Sequence, residues 1–470
     1  MNPRLPTVAV IGGGLSGTLV TANLLRYAAR PLRIVLIERS GDFGPGVAYS
    51  TADPQHRLNV PAGRMSAFER APLHLVTWAS QKLERPVGHE EYLPRRLYGQ
   101  YLRELLRDEC ARSGAARVDL MATEARRLFR TGPGVLGVLV ELGDGDTVDA
   151  DAAVIATGNL PPAGVPGLPD DPRVIRDPWA PGALEGIADE GDTLIVGSSL
   201  TAVDVALTVA RKAPKGRITA ISRSGLVPHT SLPGWHEPAP SPSLPSRPLP
   251  LVAMRGFLES HGRRMRSEGY GWREVVDGIR PCVPTFWQAL SLADRRRFIA
   301  EMAREWDVRR HRIAPDSKVE LEWLSQAGRL RFLAARIAAA TAGDDSIDVT
   351  LAQEEGETTV HAAQIICCTG PGTDIRKAGG LVAAAIEDGL AVPDPLGLGV
   401  RAASCGALVD RSGSARTPIY TLGPPLRGQL WETTAAGEIR VQAEEVALEL
   451  CHGLGVSPPP VDEAPIDLVG

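Results

Sequence analysis

The chain has 470 residues, too many for one ordinary core, so it has the length for two or three domains and a large interior. A hydrophobic fraction of 43% and a charged fraction of 23% are those of a globular protein and argue against a disordered chain or a membrane bundle. With 51 Lys+Arg against 56 Asp+Glu the net charge is −5, and no basic run stands out that would track a phosphate backbone, so nucleic acid is not an expected partner. Six cysteines without a CxxC spacing make neither a disulfide framework nor a dithiol or zinc centre. A cytoplasmic protein with no membrane association is the expectation, since no apolar run reaches 18 residues and no leader-like segment precedes the first strand; no metal is expected, since His311 has no partner at metal-ligand spacing.

That first strand is predicted at Val8 to Ile11, followed by a glycine turn and a helix whose early face is small. Gly12, Gly14 and Gly17 stand at the three places of GxGxxG, where the first makes the turn, the second admits a pyrophosphate and the third lets helix and strand pack closely. The next apolar strand, RIVLIERS, ends in Glu38, placed to accept from a ribose diol. Far downstream, VLGVLVELGDGDTVDADAAVIATGN reads as two alternating strands and an apolar closing strand that ends in Ala156, Thr157 and Gly158. A crossing with prolines from Pro161 to Pro181 follows.

The plan then repeats. DTLIVGSSLTAVDVALTVA places Gly197, Ser199 and Ala202 at the same three positions, and RITAISRSG ends in Arg223. The same 26-residue offset separates Gly12 from Glu38 and Gly197 from Arg223. A cation where the first site has an acid suits a 2′-phosphate, which points to NADPH at this second site, although Ser199 should crowd its pyrophosphate. Eight prolines between Pro228 and Pro250 exclude regular structure there and suggest a lid or linker. Arg- and Trp-rich helices are expected beyond it as a cap over the flavin face. A second closing unit, SIDVTLAQEEGETTVHAAQIICCTGP, ends in Cys368, Thr369 and Gly370.

Two openings with two closings imply an α/β fold of two nested Rossmann-type dinucleotide-binding domains with a helical insertion, an order that resembles the two-dinucleotide-binding flavoproteins. The expected division is an FAD segment over 1–163, an NADPH segment over 190–360, and a return to the FAD domain over 361–470. Within the middle segment lie the proline-rich loop, 228–250, and the cap, about 251–320. In the cap, Arg280, Arg309, Arg310 and His311 either bind a carboxylate or the nicotinamide cofactor or form a solvated surface. Trp272, Trp287 and Trp306 either wall a pocket or belong to the core. Cys367 and Cys368 read as buried thiols at a strand end.

The nested sites together with GVAYSTADPQHRLNVPAGRMSAF, WREVVDGIRPCVPTFWQ, WDVRRHRIAP and LGPPLRGQLWETTAAGEIRVQA resemble the YdhS-like FAD/NAD(P)-binding proteins over nearly the whole chain. More distantly the layout is similar to class B flavin-dependent and N-hydroxylating monooxygenases. The resemblance implies that Gly12, Gly14, Gly17 and Glu38, with Thr157 and Gly158, hold FAD, and that Gly197, Ser199, Ala202 and Arg223 hold NADPH. It further implies Asn59 and Arg64 at the reactive edge of the flavin. A Gly423 turn before a helix starting around Thr433 would aim its dipole at the ring, and Trp431 and Glu432 would lie beside flavin or substrate. The implied reaction is hydride transfer from NADPH to FAD, then oxygen transfer through a C4a-peroxyflavin to a small nucleophile such as an amine or amino acid nitrogen. Small-molecule substrate and molecular oxygen are thus the implied partners. An NADPH-dependent flavin oxidoreductase that does not incorporate oxygen, or a non-catalytic dinucleotide-binding redox sensor, are the alternatives.

Overall fold

The computed structural model describes residues 4–131, 137–245 and 247–457. Ser246 of the proline-rich loop, residues 135 and 136 at the start of the first closing unit, and 458–470 of the expected return lie outside the described residues.

Runs such as TVAVI and LRIVLI are apolar on both faces, which suits strands covered by helices on either side. They form the centre of a parallel five-stranded sheet in the order Ile419–Thr421, Ala152–Ile155, Thr7–Ile11, Leu32–Ile37, Ala116–Met121. A second parallel sheet has the order Val174–Ile175, Gln364–Cys367, Thr193–Val196, Ile218–Ser222, Leu330–Ala334. In each, the opening strand lies between its successor and the closing strand. The outermost strand beside the closing one comes from chain outside the unit. Each unit also carries a three-stranded antiparallel sheet just before its closing strand, of Ala125–Arg130, Val138–Leu142 and Thr147–Ala150 in the first and of Arg336–Ala342, Ile347–Gln353 and Gly356–Ala362 in the second. The alternating burial of Val138, Val140 and Leu142 shows why these segments take one-sided pairing. The α/β fold with two nested Rossmann-type sheets is therefore the fold of this chain.

Helix Leu15–Tyr27 is buried along most of its length and shares a core with Ala436–Gly453, through Leu19, Ala22, Ile439, Ala443 and Val446. The helical insertion comprises Leu251–Ser267, Trp272–Ile279, Val283–Ala289, Leu292–Glu301 and Ala303–Arg310. The next helix, Pro315–Gln326, runs past the expected cap boundary at 320. It buries Leu321 and Leu324 in the core beneath Leu200–Lys212 and so serves as the crossover leading to strand Leu330–Ala334. The proline-rich loop is irregular and pinned: His229 and Ser231 exchange backbone hydrogen bonds with Val308 and Ile313, and Ala239 donates to Glu274. Among the described residues no helix is long and apolar enough to cross a membrane.

The two Rossmann units meet at a buried polar joint. His56, 1% exposed, lies 2.8 Å from Thr51 Oγ1 through Nδ1 and 2.9 Å from Thr208 Oγ1 through Nε2. Thr208 and Arg211 on helix Leu200–Lys212 both donate to Asp53, and Arg95 pairs with Asp204 of the same helix at 2.7 Å. Burial pushes the imidazole pKa below its ordinary 6.5, although Asp204 and Asp53 pull it up. Below that pH the unfolded chain binds a proton that the folded protein excludes, so stability is retained above about 6.5 and falls as pH drops. In urea unfolding at a series of pH values, His56→Asn should remove up to one proton's worth of this slope, about 1.4 kcal/mol per pH unit. An unchanged slope would contradict a neutral buried His56.

Candidate active site

The first glycine turn is closed around its own backbone. Gly12 has φ of 105°, and a Cβ there would come 2.5 Å from the Ala156 carbonyl oxygen; one on Gly17 would come 1.8 Å from that of Gly12. Gly12 and Gly17 therefore fix the turn and the strand-helix approach, while Thr157 and Gly158 follow the adjoining closing strand. Glu38 accepts from the Gly13 N–H at 2.8 Å with one oxygen and from the Ser40 N–H with the other. Helix Leu15–Tyr27, which begins after Gly14, has no side-chain cap and no acidic residue in its first turn. Its N-terminal N–H groups and positive dipole end fit a pyrophosphate, so the donor set suits FAD.

Sequence reasoning missed the second half of this turn. Gly44 donates to the Gly13 carbonyl at 2.7 Å, and a Cβ on Gly46 would approach Gly14 Cα to 2.8 Å. The glycine cluster in GDFGPG was the available signal, but nothing in its spacing says that it folds back over Gly13 and Gly14.

The second turn has the same construction. Gly12 and Gly197 donate to Ile37 and Ile221 at 2.8 and 2.7 Å, and a Cβ on Gly197 would meet the Cys368 carbonyl oxygen at 2.2 Å. Ala202 is fully buried at the place of the third glycine, and helix Leu200–Lys212, with Ser199 as its N-cap residue, again has no side-chain cap. The Ser199 hydroxyl accepts from Arg304 Nη1 at 2.9 Å. Arg304 also donates to Ser198 and to the Leu226 carbonyl, and it makes no ion pair among the described residues. A cap arginine thus reaches the helix N-terminus where a nucleotide pyrophosphate would lie, a contact that sequence reasoning also missed. Arg223 is exposed just beyond strand Ile218–Ser222 and is likewise without an ion pair among the described residues. Cys367 and Cys368 are buried, and burial pushes both thiols up, Cys368 well above the ordinary range.

The return departs in detail from expectation. Its helix begins at Ala436, not around Thr433, because Thr433 belongs to the turn before it. Thr433 Oγ1 lies 3.0 Å from the Gly423 carbonyl oxygen, and Gln442 accepts from the Gly423 N–H at 2.7 Å. Gly423, with φ of 72°, lies against Ser16 at the start of the first helix, where a Cβ would be 3.3 Å from the Ser16 hydroxyl. Trp431 has φ of 62° and ψ of −61°, with Glu432 N–H donating to Leu430 across it, a strained tight turn for a non-glycine residue. Its ring is buried 4.9 Å from that of Trp287 and 5.1 Å from that of Phe298. Trp431 thus sits in the apolar seam joining cap to return and is not among the residues that line the cavity described next.

Asn59 and Arg64 line a cavity of about 50 Å3, together with Tyr92, Trp235 and the cap residues Arg273, Asp277, Arg280, Arg310 and Arg312. Arg64 donates to the His236 carbonyl at 2.6 Å and lies over the Trp235 ring. Of the cap candidates, Arg309 is exposed and pairs with Glu305 on its own helix. Arg310 is buried, donating to Glu432 at 2.9 Å and to Glu438 at 3.2 Å, while Arg280 donates to Glu438 at 2.8 Å. Trp306 Nε1 donates to the other Glu432 oxygen, and Trp287 Nε1 to the Gly428 carbonyl. Trp272 meets His229 edge to face, and the Arg273 guanidinium lies over its ring.

Burial lowers the Arg310 guanidinium pKa, and neighbouring Arg280 adds to the effect. Burial raises the Glu438 pKa, but Arg280 and Arg310 outweigh it and hold the carboxyl below its ordinary value. His311 is pushed well below 6.5 by burial and then by Arg310, Arg280 and Arg427, so it is neutral here. Among the described residues no group of three His, Cys, Asp or Glu side chains stands at metal-binding geometry. Because Arg310 and Glu432 are 2% and 6% exposed, removing Glu432 leaves the buried guanidinium with only its longer pair to Glu438. Glu432→Gln should cost about 3 kcal/mol in chemical unfolding, and Arg310→Met combined with Glu432→Leu distinctly less. Equal losses would mean that the ion pair is not what binds cap to return.

Residues 9–160 match a family model described as FAD-NAD(P)-binding. No protein of curated function matches the chain by sequence. Among solved structures, the chain is similar to the ornithine N-hydroxylase of Kutzneria sp. 744, captured with reduced FAD, NADP+ and L-ornithine; the match covers 96% of this chain and 100% of that one, at TM-score 0.60 and 16% identity. The FAD-bound cadaverine monooxygenase of Erwinia amylovora matches over 97% and 96%, at TM-score 0.64 and 14% identity. The bacillithiol disulfide reductase of Bacillus cereus matches over 96% and 100%, at TM-score 0.52 and 15% identity. At such identities the likeness is one of fold, and the fold hosts more than one reaction.

Proposed function

We propose that the chain is an FAD-dependent, NADPH-consuming monooxygenase that oxidises a nucleophilic nitrogen of a small substrate. The observation that carries this is the pair of equivalent glycine turns, each opening on an uncapped helix N-terminus, one followed by Glu38 and the other by Arg223. Gly12, Gly14, Gly17, Thr157 and Gly158 form the FAD cradle, with Glu38 turning from Gly13 and Ser40 toward the adenosine ribose. Ser199, Ala202 and Gly197 give the nicotinamide nucleotide its seat, with Arg304 on the pyrophosphate and Arg223 on the 2′-phosphate. Bound FAD supplies hydride acceptance and, when reduced, oxygen activation.

The remaining work falls to side chains. Gly423 and Thr433 shape the turn that carries the return past the first helix. Asn59 and Arg64 offer polar groups at the cavity wall, and a site closed to water would favour oxygen transfer over loss of peroxide. Trp431 acts as a positioning residue, since its seam with Trp287 holds the cap and hence that wall. Two findings weigh against a disulfide-reductase chemistry on the same fold: the sequence has no CxxC, and Cys367 and Cys368 have raised thiol pKa values.

The deciding measurement is anaerobic reduction of the purified flavoprotein by NADPH, followed by oxygen admission with candidate amines and amino acids. Oxygen consumption matched by N-oxygenated product is expected. Rapid reduction with only peroxide released, whatever the amine, would favour the non-oxygenating reading, and no reduction by either nicotinamide would sink both. Arg223→Ala should raise the KM for NADPH roughly 10- to 100-fold while leaving that for NADH little changed. Equal losses for both nucleotides would overturn the 2′-phosphate assignment.

A further inference from the structure

The cavity beside Asn59 carries more positive charge than its surroundings neutralise. Arg64, Arg273, Arg280, Arg310 and Arg312 line it, against Glu274 and Asp277. Asp277 is already shared by Arg64 and Arg312. Behind the wall, Glu432 and Glu438 serve Arg310 and Arg280. Five guanidinium groups thus face four carboxylates, and the one without an ion pair among the described residues is Arg273. Its Nε donates to the Thr230 carbonyl at 2.7 Å, and its Cζ lies over the Trp272 ring, 4.4 Å from the centre, so the group is held in place from two sides. Glu274, its neighbour in sequence, has one oxygen 3.6 Å from His236 Nδ1. Among the described residues Arg280 Nε and Glu274 Oε2 are both buried without a hydrogen-bond partner, so neither offsets the unpaired charge of Arg273.

A partly buried cation with no counter-ion is stabilised by any ligand that brings a carboxylate, while a protonated diamine would add to the excess charge. Resting on the reading of this cavity as the substrate side of the flavin, we infer that it takes a small, net-anionic, carboxylate-bearing substrate, and that Arg273 is the residue that selects it. The carboxylate would pair with the fixed guanidinium fork of Arg273, with Arg280 as its neighbour. The nitrogen to be oxidised then lies on the Asn59 side. Substrate choice is thereby set by charge on the cap, separately from the two nucleotide cradles.

The test uses the full-length protein with FAD bound and titrates it calorimetrically at low ionic strength with glutarate and, separately, with cadaverine. Glutarate should bind saturably, cadaverine should give no binding heat, and Arg273→Gln should weaken glutarate by roughly tenfold or more with FAD content unchanged. Arg273→Lys, which keeps the charge but loses the fork, should fall between the two. Cadaverine binding in place of glutarate, equal glutarate affinity in Arg273→Gln, or release of FAD by glutarate would each overturn the assignment. Because no step requires NADPH or oxygen, Arg273-dependent binding in a protein that never oxygenates an amine would uphold this inference while removing the monooxygenase reading.

Discussion

The close approach of a closing-strand carbonyl to a glycine is the constraint on which the rest of the architecture depends. At Ala156 and again at Cys368 the carbonyl oxygen occupies the space where a side chain on Gly12 or Gly197 would begin. Only a residue without a Cβ lets the closing strand run beside the opening strand up to the turn. That proximity sets the strand order of both sheets and brings Thr157 and Gly158, or Thr369 and Gly370, to the mouth of each turn. It also leaves the following helix N-terminus open, without a cap of its own. The same device used twice gives the chain two anion-binding ends.

What joins the units is polar, and each joint is arranged so that a charge on one element is met by another. His56, Asp53, Thr208 and Arg211 lock the first unit to the helix of the second. Arg310, Arg280, Glu432 and Glu438 lock the cap to the return, beside the apolar seam of Trp287, Phe298 and Trp431. Buried pairs of this kind contribute little net stability compared with apolar packing, but breaking one is costly, so they favour one relative placement of the parts. The strained turn at Trp431 fits the same account: packing on both sides of the indole holds a backbone conformation that the residue would not adopt alone.

Much of the fold was legible because it rests on local pattern. Strand runs apolar on both faces, glycines at fixed spacing and a repeated offset to Glu38 and Arg223 are all visible in a linear chain. The candidate site was legible in part: Asn59 and Arg64 do line a common cavity, whereas Trp431 lies in the neighbouring seam and Thr433 in a turn. The cap arginines show the limit most clearly. Arg309 and Arg310 are adjacent and identical in type, yet one is a solvated helix pair and the other a buried anchor. No local signal distinguishes them, because the difference is which side of an eight-residue helix meets the return.

The sequence by itself determined that two dinucleotide folds are present, where their turns lie and which residue ends each second strand, since those features depend on backbone geometry and on spacing along the chain. Only the tertiary structure decided that Arg304 reaches Ser199, that Gly44 and Gly46 close over the first turn, and that, among the described residues, Arg273 is the cavity arginine without a carboxylate partner. The physical reason is that charge pairing and close contact depend on distances between elements far apart in sequence, and those distances exist only once the core has fixed the packing.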